Sequence, residues 1–251
     1  WERADRSWRG RTERVADLLE GQRVPVAFQP IRDIAEGRTV GVEALARFPA
    51  PPLRSPDRWF AEASAVGLGV DLEVLAVAEA LTAFDGAPDG WYLSVNVSPE
   101  AAASPQLARL LDREWLPPLV LEITEHAQIS DYRALNRRLK PLRDAGVRIA
   151  VDDAGSGFAS FRHVLRMAPD IIKLDTTLVH DIDADNLLRA LGYSLTAFAS
   201  ALDATVIAEG VETERELNAL RFLGVRYAQG YHLGRPGPLS QCDAVSLSRP
   251  G

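Results

Sequence analysis

The feature that most constrains this chain is a set of eight short apolar segments alternating with helix-like stretches. The segments lie at 24–31, 39–47, 92–98, 119–124, 147–153, 171–175, 205–210 and 227–233. Amphipathic stretches lie at 56–67, 70–84, 103–113, 131–145, 158–168, 185–202 and 213–223, with a last helix expected at 238–247. Strands joined by helices run parallel, and eight of them close into a barrel. One place breaks the repeat. Only about seven residues, Arg32 to Arg38, separate the first two segments, too few for a crossover helix. The expectation is therefore an α/β fold, a TIM-like (β/α)8 barrel with an antiparallel first strand pair.

A length of 251 residues suits one such barrel. Residues 1–21 stand apart as a charged lead-in helix with Trp1, Trp8, Val15, Leu18 and Leu19 on one stripe. Because the sequence starts at Trp1 and not Met, this helix is read as a connector from an upstream domain, with the barrel over 22–251. A net charge of −7 argues against DNA or RNA as a partner, since nothing neutralises a phosphate backbone. The single cysteine, Cys242, excludes an internal disulfide framework and fits a reducing, cytoplasmic setting. No secretory signal or membrane span is expected. All but two of the 28 basic residues are Arg, and the exceptions are Lys140 and Lys173.

Nearly every predicted strand carries a polar residue at or near its C-terminal end. In order these are Gln29, Glu43, Asn96, Glu122, Asp152 with Asp153, Lys173 with Asp175, Glu209, and Gln229. Parallel barrel strands are buried on both faces, so such residues are costly unless they pair or bind something. Strand alternation puts Ser94, Asn96 and Ser98 on one face, and Val120, Glu122 and Thr124 on one face. A single acid at a strand end is ordinarily a helix cap or a loop salt bridge. Carboxylates from several strands cannot share a cavity in ionised form without a compensating cation. Lys173 supplies one positive charge, which is too little, so hard divalent ions such as Mg²⁺ or Mn²⁺ are implied. With two metals the expected chemistry is hydrolysis of a phosphate ester. A lysine beside them could orient the water or help deprotonate it, which arginine is too basic to do.

These blocks resemble the EAL domain family of cyclic-di-GMP phosphodiesterases. The resemblance rests on Phe28-Gln29-Pro30, Glu43-Ala44-Leu45 with Arg47, Asn96-Val97-Ser98, and Glu122-Ile123-Thr124-Glu125. It continues through Asp152-Asp153-Ala154-Gly155-Ser156-Gly157, Lys173-Leu174-Asp175, Glu209-Gly210-Val211-Glu212, Gln229-Gly230-Tyr231 and Gly234-Arg235-Pro236. It implies that Glu43, Asn96, Glu122 and Asp152 hold one metal, and that Asp152, Asp153 and Glu209 hold a second. Lys173 would contact the attacking water, with Glu209 assisting as a base. Gln29, Arg47, Asp175 and Gln229 would touch substrate, and Glu125 and Glu212 would anchor loops. The implied reaction opens cyclic-di-GMP to linear pGpG with Mg²⁺ or Mn²⁺, Ca²⁺ being inhibitory. The implied partners are a second copy of the chain and an upstream sensory or GGDEF-type domain. The loop after Asp153 departs from the family's usual text at Ala154, Ser156 and Phe158, none of them a ligand.

Two other readings compete. One is a catalytically silent EAL domain serving as a cyclic-di-GMP receptor or a protein-interaction module. The other is an enolase-type barrel in which Mg²⁺ and Lys173 abstract a proton beside a carboxylate. The doubled aspartate and the further acids exceed what that chemistry needs.

Overall fold

The eight predicted strands all form, and they close in chain order into one barrel. The computed structural model describes residues 2–21, 23–49, 51–112, 116–124, 129, 131–154 and 159–243. The strands are β1 (Val26–Asp33), β2 (Arg38–Ala46), β3 (Tyr92–Val97), β4 (Leu119–Thr124), β5 (Arg148–Ala154), β6 (Ile171–Leu174), β7 (Thr205–Ala208) and β8 (Tyr227–Ala228). The helices are α1 (Glu2–Glu20), α2 (Pro56–Ala65), α3 (Gly69–Ala83), α4 (Pro99–Ala102), α5 (Pro105–Leu111), α6 (Tyr132–Asp144), α7 (Ala159–Met167), α8 (Thr176–Val179), α9 (Asn186–Ala201) and α10 (Glu214–Phe222).

The expected antiparallel start is present. β1 and β2 form a hairpin that sets Gln29 opposite Glu43, and Asp33 Oδ1 accepts the turn amides of Ala35 and Glu36 at 3.1 and 3.0 Å. β1 also pairs antiparallel with β8, whereas every other neighbouring pair is parallel. β1 thus runs opposite to the seven other strands.

The period of two along each strand fills the barrel interior in layers. Ile31, Tyr92, Val120, Ala150, Ile171 and Ile207 are buried together. Each sits two residues from a polar group on the same face: Gln29, Ser94, Glu122, Asp152, Lys173 and Glu209. On β2 the equivalent position is Gly41, where an added Cβ would lie 2.7 Å from the ring of Tyr92. The missing side chain is the space the tyrosine occupies. The interior is therefore an apolar plug at one end and a polar bowl at the other. Outside the barrel, the opposite strand faces pack Leu93, Val95, Leu121, Ile123, Ile149 and Val151 against the helices.

Three predicted elements differ from the structure. The single helix expected at 103–113 is replaced by α4 and α5, each begun by a Ser-Pro pair. Ser98 and Ser104 cap them, accepting from Ala101 N and Leu107 N at 3.1 and 3.0 Å. β8 stops at Ala228, well short of the expected residue 233. At Gly230 the chain runs so close to Val211 that a Cβ would lie 2.2 Å from its backbone N and O, and the chain then turns, with Leu233 N bonding Gly230 O. The closing helix at 238–247 is not formed over the described residues. A single 3₁₀ turn, Leu239–Gln241, follows Pro238, and the carbonyl of Cys242 is taken by Thr39 Oγ1 and Arg32 Nη2.

The predicted lead-in helix exists and lies on the barrel's flank. Val15, Leu18 and Leu19 join Trp59, Ala63 and Leu72 of α2 and α3. Arg14 Nε donates to Glu62 Oε1 at 3.1 Å, and Arg54 pairs with the same carboxylate. Trp8, placed on that stripe by the sequence, is 52% exposed, and Trp1 lies outside the described residues. Among the described residues, no helix is long and apolar enough to cross a membrane.

Candidate active site

The bowl gathers the strand-end residues around one ammonium. Lys173, 1% exposed, places Nζ 2.6 Å from Glu122 Oε2, 2.6 Å from Glu209 Oε1, 3.2 Å from Asp152 Oδ1 and 3.6 Å from Glu43 Oε2. Neutral donors orient the same carboxylates. Ser94 Oγ donates to Glu122 Oε1 at 2.5 Å, and Asn96 Nδ2 donates to Glu43 Oε1 at 2.7 Å. Gln229 Nε2 bridges Glu43 Oε2 and Glu209 Oε1 at 2.7 and 3.0 Å. The ladder registers explain the convergence: Gln29 pairs with Glu43, Glu43 with Ser94, and Asn96 with Glu122. Between β5 and β6 the register shifts from Val151 to Ala154, so the irregularity falls at Asp152 and Asp153.

The electrostatics are unbalanced. Burial pushes the carboxyl of Glu122 up to about 8 despite Lys173 beside it, with Glu43 and Asp152 adding repulsion. Burial, with the same crowd of acids, holds Glu209 well above the ordinary carboxylate range. Burial alone would favour a neutral Lys173, but its carboxylate neighbours outweigh that and raise its pKa well above the usual lysine value. The surrounding carboxylates therefore favour the ammonium form of Lys173, which donates to them.

Around this ammonium the described carboxylates and imidazoles are not spaced as a ready-made metal cage. The donor chemistry nonetheless suits hard divalent cations. The donors are carboxylate and amide oxygens, their negative charge exceeds the single ammonium, and among the described residues no histidine joins the cluster. Among the described residues, two buried oxygens, Asp152 Oδ1 and Gln229 Oε1, have no hydrogen-bond partner; Asp152 Oδ1 lies near Nζ but outside hydrogen-bond geometry.

Beside the bowl opens a cavity of about 450 Å³, with Glu43, Arg47, Asp57, Phe60, Asn96 and Asp152 among its lining residues. Arg47 donates to the carbonyl of Ala46, and Gln29 Nε2 donates to Gly234 O at 3.3 Å. Asp175 stands at the strand end as expected, but its carboxylate caps α8, accepting from Thr177 N at 2.9 Å. Glu212 is exposed, and its backbone amide donates to Glu216 Oε2 at 2.9 Å. Glu125 and the side chain of Asp153 lie outside the described residues, as do Ser156, Phe158 and the side chain of Ala154.

Three contributors escaped the sequence reading. Ser94 was placed on the correct face but given no role. Glu216 ties the segment after β7 by accepting from the amides of Glu212, Thr213 and Asp181, with Thr213 completing a capping box. The Thr-x-x-Glu spacing at 213–216 was the available signal. Glu73, in the largely apolar α3, accepts the amide of Ser98 at 2.6 Å and lines the cavity. Burial raises its pKa, with the hydrogen bonds from Ser98 opposing that shift.

A closed barrel begun by a hairpin, with a carboxylate-rich bowl at its parallel strand ends, defines a class of barrel domains. The family model described as "EAL domain" matches residues 12–236, and the chain belongs to that family. It is 35% identical over 222 residues to the "Probable cyclic di-GMP phosphodiesterase PdeA" of Escherichia coli, covering 84% of this chain and 30% of that protein. It is 31% identical over 239 residues to the "Bifunctional diguanylate cyclase/cyclic di-GMP phosphodiesterase MucR" of Pseudomonas aeruginosa, covering 90% of this chain and 35% of that one. The chain thus spans about a third of the length of these relatives. Among solved structures, a PaMucR phosphodiesterase in complex with c-di-GMP superposes with a TM-score of 0.79 at 29% identity, covering 92% of this chain and 99% of that one. Klebsiella pneumoniae BlrP1 in a calcium/cy-diGMP complex superposes with a TM-score of 0.74 at 32% identity, covering 86% and 56%. A manganese/cy-diGMP complex of the same protein also matches.

Proposed function

We propose that this chain hydrolyses cyclic-di-GMP to linear pGpG with the help of two divalent cations, Mg²⁺ or Mn²⁺. The observation that carries the reading is the convergence of Glu43, Glu122, Asp152 and Glu209 on Lys173 at the parallel strand ends. Relatives named as cyclic di-GMP phosphodiesterases support it. Glu43, Asn96, Glu122 and Asp152 would hold one cation, and Asp152, Asp153 and Glu209 the other. Bound there, the cations would acidify a water and offset charge on the phosphoryl oxygens.

The chain's own groups do the positioning. Ser94, Asn96 and Gln229 fix the carboxylates, so little reorganisation is needed at the moment of reaction. Lys173, kept as an ammonium, donates to the attacking water and holds its oxygen in line with phosphorus. Glu209, whose Oε1 lies 2.6 Å from Lys173 Nζ, is the carboxylate placed to accept that water's proton. The P–O3′ bond breaks, leaving a 3′ hydroxyl and a 5′ phosphate, as pGpG requires. Arg47 pairs with non-bridging phosphate oxygens, and Gln29 lies close enough to the bowl to contact substrate. Gln229 can offer its unpartnered Oε1, whereas the Asp175 oxygen that caps α8 reaches the substrate only by giving up that bond. The setting we propose is a cytoplasmic homodimer coupled to an upstream sensory or GGDEF-type domain, a layout the bifunctional name of the P. aeruginosa relative supports.

The test is incubation with cyclic-di-GMP and Mg²⁺, Mn²⁺ or Ca²⁺, with the products separated chromatographically. We expect pGpG with Mg²⁺ or Mn²⁺ and none with Ca²⁺. Tight binding of the dinucleotide without pGpG in any metal would replace the hydrolase with a receptor.

A further inference from the structure

We propose that Glu73, on a helix outside the barrel, is a positioning residue that sets the ligand end of β3. Its carboxylate Oε2 accepts the backbone amide of Ser98 at 2.6 Å. Ser98 is the first residue past β3, two residues beyond Asn96, and it caps α4 through its own Oγ. Its amide lies beyond the last ladder pair of β3 with β4, Val97 with Ile123. A carboxylate there makes a charge-assisted bond, shorter and stronger than a neutral one. The bond fixes where the strand turns into α4, and with it the direction of Asn96.

The consequence runs inward. Asn96 Nδ2 donates to Glu43 Oε1 at 2.7 Å, and Glu43 is shared by Gln229 and Lys173. A chain of contacts thus leads from α3 through Ser98 and Asn96 to the proposed metal ligand Glu43. Glu73 also lines the cavity that holds Glu43, Asn96 and Asp152, so it acts from the wall of the same space. Sequence offers a reason to single it out: its near neighbours Leu72, Val74, Leu75, Ala76 and Val77 are apolar, and an acid among them is costly unless it has a fixed partner. This inference rests on the metal-dependent reading above.

The test compares two variants of similar volume that both remove the charge. Glu73→Gln keeps an acceptor for Ser98, and Glu73→Met does not. Mn²⁺ affinity is measured by calorimetry with the metal alone, followed by kcat and KM for cyclic-di-GMP. Outer partners of metal ligands typically contribute 10–100-fold, so Glu73→Met should weaken Mn²⁺ about tenfold and lower kcat, with Glu73→Gln within about threefold of wild type. Equal behaviour of the two variants would overturn the proposal. So would a rise in KM alone with Mn²⁺ affinity intact, which would make Glu73 a substrate contact. Wild-type chain that binds Mn²⁺ without turnover sinks the hydrolase reading and leaves the affinity comparison decisive for Glu73. If the Met variant does not fold, the Ser98 amide proton in the wild type decides: slow exchange and a downfield resonance support the bond, and rapid exchange overturns it.

Discussion

The protein buries two basic side chains, one in the bowl and one under the C-terminal segment, and the two are held in opposite ways. Lys173, in the bowl, faces four carboxylates. Arg32, next to inward-facing Ile31 on β1 and equally 1% exposed, gives its Nε to Leu233 O and its Nη2 to Cys242 O, at 3.0 and 3.3 Å. Burial lowers the pKa of Arg32, with Asp243 and Cys242 pulling against it. A guanidinium fork matches two fixed carbonyls, which is structural work that ties the C-terminal segment to the hairpin. Around Lys173 the acids outnumber the base, an arrangement that folding alone would not favour. Excess charge separates the bowl from the clamp.

The largest expected effect is on Lys173. Lys173→Met should cut pGpG formation by about 10²–10⁴-fold, the range for a group that handles the reacting water. A variant that keeps turnover would erase the distinction between the two buried bases. Metal addition should act on the bowl alone. Mn²⁺ at a hundred times its Kd should stabilise the wild type by about 2.7 kcal/mol, read from thermal melts. That gain should vanish in Glu43→Gln and persist in Arg32→Met; a gain persisting in Glu43→Gln would place the cation elsewhere.

Arg32→Met should lose stability by about 1–3 kcal/mol, because buried carbonyls lose their donor, while turnover per folded molecule stays near wild type. A turnover loss matching that of Lys173→Met would show the clamp to be part of the chemistry. The smallest effect concerns Cys242, 2% exposed, whose thiol burial pushes up to about 11. At pH 8 the thiol is protonated, so alkylation should be slow in the native protein and faster in Arg32→Met. Equal labelling rates would mean that Arg32 does not hold this segment.

Much of this was legible beforehand, for reasons the structure makes concrete. A polar residue two positions from an apolar one on the same strand face announces a bowl above a plug, and Ile171 with Lys173 or Ile207 with Glu209 says so locally. The short gap between β1 and β2 could mean only a hairpin. What escaped depends on encounters between distant residues. Nothing near Gln229 reveals that it bridges Glu43 and Glu209, and nothing near Glu73 names Ser98 as its partner. Asp175 looked like the other strand-end acids, although the hydroxyl-bearing Thr177 two residues on fits a cap. The early end of β8 follows from the approach of Val211 to Gly230, a contact invisible in either segment alone.

The reversed first strand has a consequence for how force would travel. In a barrel of eight parallel strands, the chain enters from the floor. Here β1 descends from the mouth, so Val26, at its start, lines the cavity beside Arg47. The helix before it, α1, leans on α2, whose Pro56, Asp57 and Phe60 line the same cavity. A push or twist on α1 therefore reaches the cavity wall through α2, by the Arg14–Glu62 pair and the apolar seam of Val15, Leu18 and Leu19, without crossing the barrel. The handle and the mouth are on the same side.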